Sequence, residues 1–113
     1  MSVSFKGIGE NVVTFKTATA VAGKPVTMSA NDTVKVSAAD DLFCGVCISV
    51  EDGYAAVQTS GYVELSYTGT TAPSVGYCNL LADGTSGVAV DEDGRAFLVI
   101  NVDTTEKTVG FIM

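Results

Sequence analysis

Apolar and polar residues alternate along most of this chain. Val13 and Phe15 alternate with Thr14 and Lys16, Val34 and Val36 are interleaved with Thr33, Lys35 and Ser37, and Val63, Leu65 and Tyr67 stand opposite Tyr62, Glu64 and Ser66. A period of two sends successive side chains to opposite faces, so each run predicts a half-buried β-strand. Pro25 opens another run, with Val26 and Met28, at the first strand position, where its missing N–H takes nothing from a ladder. No window carries an apolar stripe at helical spacing, and Ser37-Ala38-Ala39-Asp40 predicts one helical turn before Leu42 and nothing longer.

Turn signals punctuate these runs at short intervals: Gly23-Lys24-Pro25, Asn31-Asp32, Asp52-Gly53, Gly69, Pro73, Asp83-Gly84 and Asp93-Gly94. An Asp-Gly pair sets a residue tolerant of positive φ beside one that has no penalty there, as tight hairpins require. Short connections join antiparallel neighbours, so the expected fold is all-β: a meander of about nine or ten short strands closed into a small antiparallel β-barrel or sandwich, with little helix. Residues 1–11 form an N-terminal arm or first strand, and residues 12–113 a single β domain. Gly53-Tyr54, Gly61-Tyr62 and Gly76-Tyr77 each open a similar phrase, but at unequal spacing, which reads as hairpin arms and not as a fixed repeat.

One segment departs from the alternation. In Arg95-Ala96-Phe97-Leu98-Val99-Ile100-Asn101-Val102, one face carries Ala96, Leu98, Ile100 and Val102 while the other carries Phe97 and Val99. Both faces need cover, and a domain of this size has one core. The second face is therefore expected against another subunit, a loop or a terminal arm, which predicts a homo-oligomer.

Composition narrows the functional classes. With a hydrophobic fraction of 47% over 113 residues, the chain can bury roughly two-thirds of its unfolded surface in one domain. Thirteen acidic against six basic residues give a net charge of −7, which a nucleic-acid backbone repels, so no nucleic-acid partner is expected. No run approaches the roughly 20 apolar residues of a membrane span, and the start, Met1-Ser2-Val3-Ser4-Phe5-Lys6, has no signal-peptide pattern. No membrane partner is expected, and the protein is expected to be made in the cytoplasm.

The candidate chemistry is sparse. The chain has no histidine, which removes the commonest general base near neutral pH and with it any Ser-His-Asp triad. Cys44-Gly45-Val46-Cys47 has C-x-x-C spacing, but Val46, Ile48 and Val50 mark a strand, on which residues three apart face opposite ways about 10 Å apart, too far for a disulfide. Zinc wants four ligands and only Cys78 remains to help, so packing is the expected role of Cys44. Ala22-Gly23-Lys24-Pro25 lacks the first glycine and the Ser or Thr of a phosphate loop. Asp91-Glu92-Asp93-Gly94 reads as an acidic hairpin tip and not a calcium loop. Asp40-Asp41 and Glu51-Asp52 are adjacent pairs, whereas catalytic carboxylates face each other across a cleft. The expectation is a protein that is not an enzyme and holds no cofactor or metal. Tyr54, Tyr62, Tyr67 and Tyr77 leave open a ligand-binding module, with carbohydrate the natural class.

Gly45-Val46-Cys47 leading to Gly53-Tyr54-Ala55-Ala56-Val57-Gln58-Thr59-Ser60-Gly61-Tyr62-Val63 resembles the middle of the phage capsid cement proteins, also called head decoration proteins. Gly76-Tyr77 with Val88-Ala89-Val90 is similar to the later strands of that pattern, and Thr108-Val109-Gly110-Phe111-Ile112-Met113 to its closing strand. The resemblance covers most of the chain after Val12. It implies a β-rich protein, often a trimer, that leaves the host cytoplasm for the virion surface and stabilises the shell, with the major capsid protein as its partner. A tail or fibre-base subunit would share the same character. Val3, Phe5 and Ile8, in a segment able to add a strand to a sheet edge, are candidate anchors on the capsid or a neighbouring subunit. Phe97 and Val99 are further candidate contacts.

Overall fold

A computed structural model describes residues 10–85 and 87–113. Among the described residues ten strands form: β1 (Asn11–Thr17), β2 (Pro25–Ala30), β3 (Thr33–Val36), β4 (Gly45–Glu51), β5 (Tyr54–Ser60), β6 (Tyr62–Thr68), β7 (Gly76–Ala82), β8 (Val88–Val90), β9 (Arg95–Asp103) and β10 (Thr108–Ile112). The all-β class and the strand count match the sequence expectation, and Pro25 does open a strand. There is no helix among the described residues. The expected turn at Ser37–Asp40 is non-helical: Asp40 takes a positive φ of 66°, and the Asp41 carboxylate accepts the Ala38 N–H at 2.9 Å. The aspartates thus cap a tight turn, and a left-handed residue at that point ends any helix.

The strands close into two barrels of five, not one. Around the first the order is β1-β3-β2-β4-β5, and around the second β6-β8-β7-β9-β10, so the second half of the chain repeats the connectivity of the first. Each barrel contains one parallel pair, β1 with β3 and β6 with β8, where a pure meander would have none. The correspondence extends to irregularities. In β4 the ladder to β5 skips Ile48, between Cys47 opposite Val57 and Ser49 opposite Ala56. In β9 the ladder to β10 skips Ile100, between Val99 opposite Phe111 and Asn101 opposite Gly110. One β-bulge at the same place in both halves aligns Cys47 with Val99, Val57 with Phe111 and Val46 with Leu98.

The two interiors differ in bulk. The first holds Ala20, Val26, Val34, Cys47, Ala55 and Val57, while the second is built around Leu65, Leu80, Phe97, Val99 and Phe111. The second core also takes in two residues of the first half, Phe43 and Val46. Phe43 stacks on Phe97 with ring centroids 5.3 Å apart and meets Phe111 edge-on at 6.2 Å, both favourable ring arrangements. Backbone bonds reinforce this junction: Asp40 N–H donates to Ala82 O at 2.9 Å and Ala82 N–H to Asp41 O at 3.0 Å.

Strand β4 shows how one strand serves both barrels. Cys47 points into the first interior and its neighbour Val46 into the second, so consecutive residues are buried on opposite faces. Gln58, opposite Val46, uses its side-chain amide to donate to Ser60 O and Tyr62 O, both at 3.1 Å, and so ties the end of β5 to the start of β6.

Candidate functional site

Val3, Phe5 and Ile8 lie outside the described residues. Phe97 and Val99 are corrected: they are 2% and 1% exposed, in the core of the second barrel, where the chain covers them itself. The outward face of β9 is the other one, with Ala96 exposed and Leu98 and Ile100 half-buried.

On that face the cross-strand register assembles a row that no single strand displays. Tyr77 of β7 pairs with Leu98 of β9, Leu98 with Ile112 of β10, and Ile112 with Tyr62 of β6. Directly opposed side chains on one face are neighbours, so the four form a continuous apolar and aromatic stripe. Tyr77 is 78% exposed, and Val75, just before β7, is 71% exposed. Tyr62 is pinned by its hydroxyl, which accepts from Asn101 Nδ2 at 3.1 Å and donates to Glu64 Oε2 at 3.4 Å. Its ring crosses Gly110, where an added Cβ would collide with the Tyr62 hydroxyl. In the sequence Tyr77 stands out as one tyrosine among four and as the start of a hairpin arm, not as part of a stripe, because the stripe depends on the pairing of β7 with β9, which periodicity does not reveal.

The tyrosines do not make a common surface. Tyr67 is buried, with Lys107 Nζ 5.6 Å from its ring centre, and Tyr54 belongs to the first barrel. Tyr54 does line a shallow depression on the outside of β1, β5 and β4, together with Thr14, Ser49, Glu51, Asp52 and Ala56. Lys16 sits opposite Tyr54 on β1 and Glu51 on β4, so this depression combines an aromatic ring with hydroxyls and carboxylates.

The cysteines are free thiols. Cys44 precedes β4 and packs against the same core that contains Cys47, instead of pointing away from it as an unbroken strand would require. Burial pushes both thiols above their ordinary range, and the bond from Cys47 Sγ to Ser49 O, 3.5 Å long, only partly offsets this. A raised thiol pKa disfavours the thiolate that redox or nucleophilic chemistry needs. Among the described residues no group of three or more Cys, Asp, Glu or His side chains is placed to hold a metal ion.

Asp83 is a heavily bonded carboxylate. Its Oδ1 accepts from Thr85 N at 2.7 Å, Thr85 Oγ1 at 2.8 Å and Gly87 N at 3.2 Å, and its Oδ2 accepts from Thr68 Oγ1 at 3.3 Å. Partial burial pushes its pKa up, but these donors together outweigh burial and hold it below the usual carboxylate value. Its task is to order the connection from β7 to β8. The acidic tip at Asp91–Gly94 is likewise a turn, with Asp91 Oδ1 accepting Asp93 N–H at 2.9 Å.

Compared with known proteins, the chain matches no family model and no curated sequence.

Proposed function

We propose that this protein is a structural component of a phage particle that decorates and stabilises the outer surface of the capsid, with the major capsid protein as its partner. It is made in the host cytoplasm and ends on the virion surface. The observation that carries this reading is the placement of large apolar side chains in solvent at separated points of a rigid scaffold: Val12, Leu42, Ile48 and Tyr54 in the first half, Val75 and Tyr77 in the second. A binding protein that works by repetition over a lattice needs several modest contacts per copy, and multivalency supplies the strength. Both sheets are closed, so neither offers a free edge for uncontrolled strand pairing, and the charge of −7 keeps free copies soluble before they meet the shell. The resemblance to cement proteins points the same way, and the reading assigns no enzymatic activity.

Cosedimentation with empty heads built from the major capsid protein of the same phage tests this. Saturable binding is expected, at a fixed number of copies per capsomer, with heads that resist heating better once coated. Absence of the protein from the pelleted heads at micromolar concentration rejects the assignment.

A second reading rests on the depression around Tyr54, whose ring, hydroxyls and carboxylates suit a sugar. A glycan array showing binding that Tyr54→Ala abolishes would favour it over the capsid role.

A further inference from the structure

Three Asp-Gly pairs occur in the chain, Asp52-Gly53, Asp83-Gly84 and Asp93-Gly94, and each lies between two strands. Such a pair can react with itself. The main-chain nitrogen of the glycine attacks the aspartate Cγ, the carboxyl gives up water, and a five-membered succinimide closes. Water then adds to one of the two ring carbonyls and yields either aspartate or isoaspartate. Glycine has no side chain to shield its nitrogen, so local sequence gives the three pairs a similar capacity. The fold decides which can use it: the carboxyl must be free to turn, the glycine N–H must be free, and the turn must have room to move.

Asp83-Gly84 lacks the first and the last of these. The Asp83 carboxylate accepts hydrogen bonds from Thr85 N, Thr85 Oγ1, Gly87 N and Thr68 Oγ1, the shortest 2.7 Å. Partial burial raises its pKa, but these donors outweigh burial and deplete the protonated acid, the form from which water leaves. Gly84 is packed on Ala39, whose backbone nitrogen lies 2.8 Å from where a Cβ would stand. Asp93-Gly94 lacks the second and the last. Gly94 N–H donates to Asp91 O at 2.9 Å, and the backbone of Leu80 comes within 2.6 Å of a Cβ added at Gly94.

Asp52-Gly53 meets all three requirements. Among the described residues no hydrogen bond reaches the Asp52 carboxylate or the Gly53 N–H. The tip is held instead by the Gly53 carbonyl, which accepts Thr17 N–H at 2.9 Å and leaves the reacting nitrogen outside the ladder. Both residues are exposed, and a Cβ at Gly53 would meet nothing closer than Thr17 O at 4.0 Å. Of the three aspartates, Asp52 is also the one with a positive φ, 52°, where an L side chain is disfavoured. Opening this tip therefore releases backbone strain that the other two aspartates do not carry.

We infer that Asp52-Gly53 is a self-modifying site, at which the folded protein converts Asp52 to isoaspartate through a succinimide while Asp83 and Asp93 are protected. One water leaves and one returns, so the product has the mass of the reactant and no oxidant or cofactor is consumed. Isoaspartate adds one methylene to the main chain between β4 and β5. The change falls beside Tyr54 in the depression that Asp52 also lines, and so remodels that surface as the protein ages. The inference rests on neither functional reading.

Prolonged incubation of the full-length protein at pH 7 tests it. Peptide mapping, with electron-transfer fragmentation to tell isoaspartate from aspartate, should find isoaspartate accumulating at 52 at least about tenfold faster than at 83 or 93. In concentrated guanidinium chloride the three sites should react at similar rates, because the fold confers the protection. Asp52→Asn keeps a residue pair that tight hairpins favour and should deamidate at the same place, losing ammonia where aspartate loses water and changing mass as it does so. Isoaspartate at 83 or 93 that keeps pace with 52 in the folded protein overturns the inference. So does a folded protein whose Asp52 stays unmodified over the time in which the denatured chain reacts. Selectivity that persists unchanged in denaturant also overturns it, by assigning the preference to local sequence.

Discussion

Phe43 belongs to no strand and comes from the first half of the chain, yet its ring stacks on Phe97 and meets Phe111 edge-on in the second core. Truncating it removes a buried ring and leaves a cavity that the closed barrel around it has little freedom to fill. Phe43→Ala is expected to cost about 3–5 kcal/mol, read as a lower denaturant midpoint with little change in slope. The neighbouring pair Val46 and Cys47 carries the same lesson in two adjacent residues, because each is buried in a different barrel. Alternation in the sequence marks such positions as facing opposite ways. It does not say that both directions are interior, and this is why Phe97 and Val99 read as contact candidates when they are core. An apolar face is the same in sequence whether its cover comes from within the chain or from outside.

At the level of elements, the strands were legible and their partners were not. Period-two patterning and the turn residues locate most of the strands, and the Asp52-Gly53 hairpin follows directly from its sequence, with positive φ at both residues. The pairing of β1 with β3 and of β6 with β8 skips a neighbour in each case and has no local signal. The connection from β7 to β8 is held by Asp83, and its contribution depends on pH in a defined direction. The carboxyl is held below its ordinary pKa, so the folded state binds its proton less readily than the unfolded chain. The stabilisation is therefore complete above the ordinary carboxylate range and is lost as pH falls through the folded-state value. Asp83→Asn is expected to cost about 1 kcal/mol at pH 7, a low figure because the group is partly in water, and the difference from wild type should shrink at acid pH. Urea melts of both proteins at pH 7 and pH 3 measure this, and a difference that grows toward acid would refute it.

For the whole molecule, the two barrels have equivalent connectivity but unequal means. Among the described residues the first interior is the smaller, and the second is completed by Phe43 and Val46 from the first half. A fragment of residues 61–113 alone should therefore be largely unfolded, and adding a fragment of residues 10–60 should restore β structure. Circular dichroism of each fragment and of the mixture checks this; a cooperative melt of residues 61–113 by itself would count against it. The sequence by itself determined the class of structure: alternation and turn chemistry are local, so they specify strands, their faces and their ends, and the absence of histidine bounds the chemistry. Only the tertiary structure decided that the strands divide into two barrels, that β9 turns Phe97 inward and Leu98 outward, and that Tyr77, Leu98, Ile112 and Tyr62 share a stripe. Those outcomes depend on pairing between residues distant in sequence, where the free energy comes from closing a barrel and filling its core, and no local pattern encodes which strands will meet.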